Sequence, residues 1–295
     1  MTVGVAIGAT GTGNQIDAGV RLAAEAAAAG LRSAWFGQTF GADSPQLAAI
    51  VGREVPGIEV GTSAIPAFGR HPLIVSSQAL TAQAATHGRY HLGLALGTRL
   101  LTEGGFGIPY ERPIARLREF LTALRRLTET GTADFHGELL TASTPIPAHV
   151  PGAEAGVPLL VAAMGPQALR VSGELADGIL PYLAGPRALA EHIVPAVTAA
   201  ARNAGRPAPR IVALVHGVVT SDPDAARAAA TEQLAFYEQI PSYARAIALS
   251  HHHRHRYGGG RQGPDRMFRT VFVLTYIRTE LESNVRHTEP RGTTS

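Results

Sequence analysis

The chain has 295 residues, of which 45% are hydrophobic, and a formal net charge of +3. This length suits one large α/β domain and leaves room for two smaller ones. The sequence contains no cysteine, which excludes disulfide bonds, thiolate metal sites and cysteine nucleophiles.

Charge is distributed unevenly along the chain. Residues 1–250 contain 18 arginines against 19 aspartates and glutamates, whereas residues 251–295 contain 8 arginines against 4 acidic residues. Because the first part lacks a basic stripe interleaved with aromatic residues, we expect no nucleic-acid partner. The sequence has no apolar run of about eighteen residues and no charged segment before an apolar one in MTVGVAIGAT. We therefore expect a soluble, cytoplasmic protein that binds no membrane.

Strand-like and helix-like segments alternate with short connections, a pattern typical of a parallel sheet covered by helices. The predicted strands are Val3–Gly8, Ser33–Gly37, Ile58–Ile65, His91–Gly97, Pro158–Met164, Gly178–Leu183 and Arg210–Thr220. The predicted helices are Gln15–Ala29, Ser44–Val55, Pro72–His87, Arg112–Thr130, Pro166–Ala176, Pro186–Ala204 and Pro223–Tyr237. Proline at helix starts and glycine at helix stops support these bounds.

The segment from Gly61 to Gly97 predicts one strand–helix–strand unit. Its two strands end in small residues, at Ser63-Ala64 and at Gly97-Thr98. In a parallel β-α-β unit both ends lie on the same rim of the sheet, where α/β proteins build their sites. Small side chains at these ends leave room for a flat ligand.

Repeated β-α units over the first 250 residues predict a (β/α)8 barrel of the TIM type rather than an open sheet. The eighth strand is expected at 268–277, FRTVFVLTYI, which has the required β-branched and aromatic density. Without that strand, the first and seventh strands would have exposed edges. Residues 132–157, rich in proline and glycine, are interpreted as a surface insertion.

Composition changes abruptly after Ser250. Alanine fills 50 of the first 250 positions and none after Ser250. We therefore predict a barrel domain over 1–250 and an anomalous basic tail over 251–295, with the last β/α units atypical or missing. A shifted reading frame would explain the change, and resequencing the gene around the codon for Ser250 tests this hypothesis. The histidines at 251–255 lack a paired carboxylate or second histidine cluster, so we expect no metal site.

Six passages resemble one protein family and together span nearly all of residues 1–250. They are AAEAAAAGLRSAWFGQ, AAIVGREVPGIEVGTSAIPAFGRHP, HGRYHLGLALG, FGIPYERPIARLREFL, PLLVAAMGPQALRVSGELADGIL and AGPRALAEHIVPAVTAAARNAGRPAPR. The chain resembles the luciferase-like flavin and deazaflavin oxidoreductases, a (β/α)8 superfamily. It is especially similar to the branch that depends on coenzyme F420, an 8-hydroxy-5-deazaflavin. The resemblance stops at the tail.

The resemblance implies a cofactor site on the barrel rim. A bulge with a non-proline cis peptide at Ser63-Ala64, next to Ile65, would support the central ring of the cofactor. Gly97, Thr98 and Arg99 would line the cofactor, with Arg99 pairing with its tail carboxylates. From the residues alone, an ordinary strand end before Pro66 is the favoured interpretation of Ser63-Ala64, and a solvated side chain is an equal alternative for Arg99.

The resemblance also assigns the end of the fifth strand to the cofactor. Ala162 and Ala163 would lie near the ring, and Met164-Gly165-Pro166 would hold the phosphate at a helix N-terminus. A plain strand-to-helix turn that needs Gly165 is the alternative.

Gln38 and Thr39 are the candidate catalytic residues, because the resemblance places them at the reactive face of the ring. Some deazaflavin-dependent dehydrogenases carry a histidine where Thr39 stands, so a histidine base at this position is not supported.

The implied function is hydride transfer between F420 and a small, fairly apolar substrate, by a homodimer. The first alternative is an FMN-dependent monooxygenase that uses reduced flavin and O2, because one fold serves both chemistries. The second alternative is an inactive barrel with a damaged C-terminus.

Overall fold

A computed structural model of the chain describes residues 2–8, 13–217, 221–251 and 270–276, without the side chains of 226, 233, 251 and 270–276. The strands are β1 Thr2–Ile7, β2 Ser33–Phe36, β3 Glu59–Thr62, β4 Ile65–Pro66, β5 Tyr90–Ala95, β6 Asp134–His136, β7 Thr141–Ser143, β8 Leu159–Ala162, β9 Gly178–Ile179, β10 Arg210–Gly217 and β11 Thr270–Tyr276. The α-helices are α1 Gln15–Ala28, α2 Ser44–Glu54, α3 Pro72–Ala85, α4 Pro113–Thr130, α5 Pro166–Leu175, α6 Pro186–Ala188, α7 Val194–Asn203, α8 Pro223–Glu238 and α9 Pro241–His251.

The parallel strands pair in a ring. In the described part of the chain the order runs β1, β2, β3, β5, β8, β9, β10 and β11, and β11 pairs with β1. β4 continues the course of β3 and pairs with the end of β5. This arrangement confirms the predicted (β/α)8 barrel, and β11 lies within the segment at 268–277 that was expected to supply the eighth strand.

Several boundaries differ from the predicted ones. The strand predicted over Ile58–Ile65 is divided into β3 and β4, and the strand predicted over Gly178–Leu183 shortens to β9, with Tyr182 bridging to Leu214. The end of the strand predicted over Arg210–Thr220, at 218–220, lies outside the described residues. Within 132–157, β6 and β7 form an antiparallel hairpin. Helix α9 and a π-helical turn at Leu100–Gly105 were not predicted.

Two apolar layers follow from the alternation of side chains along each strand. The larger layer lies between the strands and the helices. The smaller layer fills the barrel interior with Trp35, Leu160, Leu180, Val212 and Leu214. Glycine at position 93 makes this filling possible, because a Cβ there would collide with the carbonyl oxygen of Thr62 and the side chain of Leu180. The barrel is therefore a packed core, and only its rims can receive ligands.

A polar network closes the amino-terminal end of the barrel. The Glu59 carboxylate lies 2.8 Å from a guanidinium nitrogen of Arg210 and 3.2 Å from Nε2 of His91. The His91 ring stacks on the interior Trp35 with centroids 5.8 Å apart. The hydrogen bond from His91, aided by Arg210 and opposed by burial, lowers the pKa of Glu59 to about 2.

Glu59 should therefore stabilise the fold in a pH-dependent way. Its folded pKa lies below the ordinary value of 4.5, so the contribution is complete above that pH and is lost as the pH falls toward 2. We expect Glu59→Gln to lower the free energy of unfolding by about 1 kcal/mol at neutral pH, an amount reduced by solvent screening of the half-exposed carboxylate. Urea unfolding at neutral and acidic pH measures this difference.

The matched control is Glu25→Gln, which removes an exposed ion pair with Arg21. We expect this variant to change stability little at either pH. A Glu59→Gln effect of equal size at neutral and acidic pH would contradict the assignment.

Candidate functional site

The carboxyl ends of the barrel strands form one rim, and small side chains line its centre. Ala6, Ala64, Ala162 and Tyr182 pack against the interior apolar cluster from the ends of their strands. Three of these four residues are alanines, so little side-chain volume fills the mouth at these positions. The predicted residues Ala64 and Ala162 thus share one surface, although they are almost a hundred residues apart in sequence.

The break between β3 and β4 lies at the predicted bulge. The peptide bond between Ser63 and Ala64 is cis. The Ser63 N–H donates to the carbonyl of Phe36 at 2.8 Å, which ties the break to the end of β2. Ala64 packs toward the barrel interior, whereas Ile65 is fully buried in the outer layer. Ala64 therefore lies at the mouth.

The Gln38 side chain forms hydrogen bonds within the loop between β2 and α2. Its Oε1 accepts a hydrogen bond from the N–H of Ser44 at 2.8 Å, and its Nε2 donates to the carbonyl of Thr39 at 3.1 Å. The Ser44 hydroxyl in turn donates to the carbonyl of Gly37 at 2.6 Å. Thr39 is exposed beside this network. Gln38 is thus an anchor of the β2–α2 loop in this structure.

The loop after β5 holds Arg99 in place. Gly97 adopts a φ of +78°, and its carbonyl accepts a hydrogen bond from the Tyr110 hydroxyl at 3.3 Å. The Arg99 guanidinium pairs with Glu103 and lies 5.4 Å from the centre of the Tyr110 ring. Thr98 accepts from the N–H of Leu101 at 3.2 Å. Arg99 is therefore engaged within its own loop and would have to exchange Glu103 for any ligand carboxylate.

Helix α5 begins at the rim with an open N-terminus. Gly165 is its N-cap, Pro166 follows in the first turn, and no side chain caps the helix. A Cβ on Gly165 would meet nothing within 4 Å. Before it, Ala163 and Met164 pack in the outer layer. Uncapped N–H groups and the helix dipole favour an anion at this point.

Sequence reasoning missed an aromatic cluster on the same rim. Nε2 of His216, at the end of β10, lies 2.7 Å from the hydroxyl of Tyr182, which lies 3.2 Å from the hydroxyl of Tyr237. Tyr243 packs its ring edge against Tyr182 with centroids 5.7 Å apart. The alternation in the strand IVALVHG was the available signal, because it places His216 on the same face as Val212 and Leu214.

Other features of the described residues lie apart from this rim. A cavity of about 360 Å³ lies beside the start of β8, lined by Arg125, Thr128, Gly156, Leu159 and Asp177 among others. Within the described ranges, no group of three histidine, aspartate or glutamate residues could hold a metal ion. The side chains of the histidines at 251–255 lie outside the description. In the same ranges, no helix is both long and apolar enough to cross a bilayer.

Comparison with known proteins agrees with this architecture. The family model described as luciferase-like monooxygenase matches residues 1–274. An uncharacterized protein of Mycobacterium tuberculosis is 32% identical over 202 residues, which cover 64% of this chain and 59% of that protein. A phthiodiolone/phenolphthiodiolone dimycocerosates ketoreductase of the same organism is 31% identical over 171 residues, covering 55% of this chain and 43% of the ketoreductase. The chain thus spans less than two thirds of the length of either relative.

Among solved structures, an F420-dependent secondary alcohol dehydrogenase in complex with an F420-acetone adduct has a similar fold. The two structures superpose with a TM-score of 0.70 at 18% identity, over 94% of each chain. This likeness supports the barrel fold.

The role of Gln38 as a loop anchor can be tested by truncation. We expect Gln38→Ala to lower the free energy of unfolding by about 1 kcal/mol, because the N–H of Ser44 at the start of α2 loses its acceptor. Thr39→Ala, at the neighbouring exposed position, is the control and should leave stability nearly unchanged. Thermal unfolding of both variants measures the difference, and equal melting temperatures would refute the anchoring role.

Proposed function

Since this chain belongs to the luciferase-like monooxygenase family, we propose that it is a coenzyme F420-dependent oxidoreductase. It transfers a hydride between the deazaflavin and a small organic substrate, in the cytoplasm. A deazaflavin is supported by the solved structure of similar fold, which is an F420-dependent secondary alcohol dehydrogenase. The ketoreductase relative supports carbonyl chemistry by its name.

The observation that carries the proposal is the combination of a small-residue mouth with an open helix N-terminus. Ala64 and Ala162 pack against the interior cluster with side chains of a single methyl group, which would leave space for a flat ring above it. Gly165 leaves space beside uncapped N–H groups, where a phosphate would be held. The residues present therefore fit a phosphorylated, planar cofactor.

The cofactor would supply the hydride when bound, and the protein would supply position and shielding. The backbone around Ser63 and Ala64 would support the ring, and Gly97 would allow close approach of the neighbouring loop. Gln38 would hold the β2–α2 loop at the edge of the mouth through its bond to Ser44. Exclusion of water by these loops favours hydride transfer over side reactions.

The rim also favours an apolar substrate. Phe40 is 67% exposed and Phe106 is 44% exposed, and their rings lie 5.7 Å apart across two rim loops. Leu101, which is 43% exposed, lies in the same loop as Phe106, between β5 and α4. Exposed apolar side chains grouped on one surface are typical of interaction or ligand sites.

The second candidate is an FMN-dependent monooxygenase that uses reduced flavin and O2. The description of the matched family as monooxygenases favours this alternative. FMN is also planar and phosphorylated, so the same mouth and helix N-terminus suit it. The inactive barrel is a third possibility, and failure of both cofactors to bind would favour it.

Titration of the purified protein with F420 and with FMN separates these functions. We expect F420 to bind with micromolar or tighter affinity and to raise the melting temperature by mass action. Tight FMN binding without a response to F420 would overturn the deazaflavin proposal in favour of the monooxygenase. Absence of any response to either cofactor would favour the inactive barrel.

Substitution at Gly165 tests the phosphate site. Gly165→Asp fits the open space and would cap α5, so stability should not fall. Its carboxylate would repel a phosphate at the same N–H groups, and we expect cofactor affinity to drop about tenfold or more. Gly165→Asn is the matched control, because it caps the helix without charge. Equal dissociation constants for the two variants would refute a phosphate at this position.

We also propose a homodimer built on α2 and α3. Ile50 on α2 is 40% exposed and Ile74 on α3 is 60% exposed, on two helices that pack side by side. We expect Ile74→Glu to convert the dimer to a monomer, because an unpaired charge would be buried in the interface. Ile146→Glu, at a site that is 76% exposed, is the control. Unchanged elution of Ile74→Glu from a sizing column would contradict this interface.

A further inference from the structure

Two neighbouring rim loops carry a group of exposed, large apolar side chains, which we call the apolar patch. Its members are Phe40, Leu100, Leu101 and Phe106. Phe40 lies in the loop between β2 and α2, and the other three lie in the loop between β5 and α4. Both loops begin at carboxyl ends of barrel strands. The patch therefore lies on the same rim as the mouth.

Backbone contacts hold the patch together. The Phe40 ring packs on Gly105, where an added Cβ would lie 2.9 Å from the ring. The N–H of Phe106 donates to the carbonyl of Leu101 within the π-helical turn. The Phe106 ring also lies beside Gly69 in the loop between β4 and α3, where an added Cβ would lie 3.6 Å from the ring. Three rim loops thus meet at the patch.

The loop that presents most of the patch is ordered by its own hydrogen bonds. The N–H of Ile108 donates to the carbonyl of Thr102 at 3.0 Å, and the N–H of Tyr110 donates to the Glu103 carboxylate at 3.0 Å. The exposure of the apolar side chains therefore does not come from an irregular, unbonded loop. Large apolar side chains kept together on a folded surface mark an interaction or ligand site.

The patch carries no net charge. Residues 37–42 contain no charged residue, and residues 96–110 contain only Arg99 and Glu103, which pair with each other. A carboxylate placed on the patch would have to displace Glu103 to gain a cation. A neutral apolar group suits this surface better than an anionic one.

The patch begins where the candidate site ends. Phe40 directly follows Thr39, a candidate catalytic residue, and Leu100 directly follows Arg99, a candidate cofactor residue. A ligand group on the patch would therefore adjoin a group held at the mouth. The patch and the mouth can serve two parts of one small molecule.

The size of the patch also favours a small molecule. The exposed parts of its four side chains amount to about 400 Å², at about 200 Å² for a whole large side chain. A stable interface between two proteins needs about 800 Å² from each partner. The patch is thus too small to hold a second copy of the chain by itself.

We propose that the apolar patch binds the apolar end of the substrate and leaves its reacting carbonyl group at the mouth. The inference rests on the proposed function and names its substrate class, which is neutral ketones whose carbon chain extends away from the carbonyl. Phe40 and Leu100, the two most exposed members of the patch, are its specificity-determining residues. Ketones that end in a carboxylate are poor substrates.

Saturation-transfer NMR with octan-2-one and the cofactor-free protein tests the patch without turnover. We expect the C8 methyl group to receive the strongest saturation, and Phe40→Ser or Leu100→Ser to reduce it at least twofold. Both positions are about two thirds exposed, at 67% and 68%, so the melting temperature should not change. Ile146→Ser, at a 76% exposed position in the insertion, is the matched control and should leave the saturation unchanged. Equal saturation along the chain in all four proteins would overturn the proposal.

Kinetics with reduced F420 and the ketones from butan-2-one to octan-2-one tests the substrate class. We expect kcat/KM to rise about two- to fourfold with each added methylene, the upper value being that of full burial. Phe40→Ser should flatten this rise, whereas Ile146→Ser should preserve it. We expect 7-oxooctanoate, which ends in a carboxylate, to have a kcat/KM at least tenfold below that of octan-2-one. A kcat/KM that does not depend on chain length would refute the role of the patch.

Each failure has a distinct meaning. If F420 does not bind, the proposed function fails, and the NMR experiment still decides whether the patch binds an alkyl chain. If F420 binds and no ketone is reduced, the proposed substrate class is wrong. If Phe40→Ser changes the elution volume on a sizing column, the patch belongs to a contact between copies of the chain and the inference is overturned.

Discussion

Closure of the sheet between β10 and β1 holds the barrel together and positions its mouth. β11 pairs with both strands and completes the ring. A closed ring surrounds the interior cluster and brings every carboxyl strand end to a single mouth. The pairing of β11 with its two neighbours extends to the rim, because Thr275 is paired with Ala6 on one side and with His216 on the other. The last strand thus reaches the layer in which the candidate site lies.

The two ends of the barrel differ in electrostatics. At the amino-terminal end, His91 and Arg210 keep the Glu59 carboxylate ionised, and the His91 ring stacks on the interior Trp35. At the mouth, burial favours the neutral forms of Tyr182 and His216. An ion pair fixes charge at the amino-terminal end, whereas neutral hydrogen-bonding groups leave the mouth without a fixed charge at Tyr182 and His216. The two ends of the barrel therefore differ in charge, because Glu59 has cationic partners and, among the described residues, the buried groups at the mouth do not.

Most of the fold could be predicted from the sequence because it is encoded locally. Alternating β-branched residues set the strands, and residues such as Pro72 and Gly88 set helix ends. The small residues at Ala64 and Ala162 were visible as strand ends. The closing strand was found through composition alone, since the segment at 268–277 is dense in β-branched and aromatic residues.

The side-chain partners could not be predicted, because they depend on tertiary contacts. Whether Arg99 faces a ligand or Glu103 is decided by the π-helical turn that follows it. Gln38 is a loop anchor only because Ser44 is folded back within hydrogen-bond distance. Tyr182 and Tyr237 meet only when α8 lies over the end of β9. The family resemblance was therefore informative about the backbone at Ser63-Ala64 and silent about the cluster of Tyr182, His216 and Tyr237.

The compositional break at Ser250 divides the sequence without dividing the barrel. Before the break, α8 supplies Tyr237 to the mouth, and Ser250 itself accepts a hydrogen bond from the N–H of Gly185 at 2.8 Å, tying α9 to the start of α6. After the break, β11 occupies the position between β10 and β1. The strand that presents His216 is thus flanked by a neighbour from each side of the break, β9 and β11. Whatever produced the change in composition, the layer at the mouth depends on chain from both sides of it.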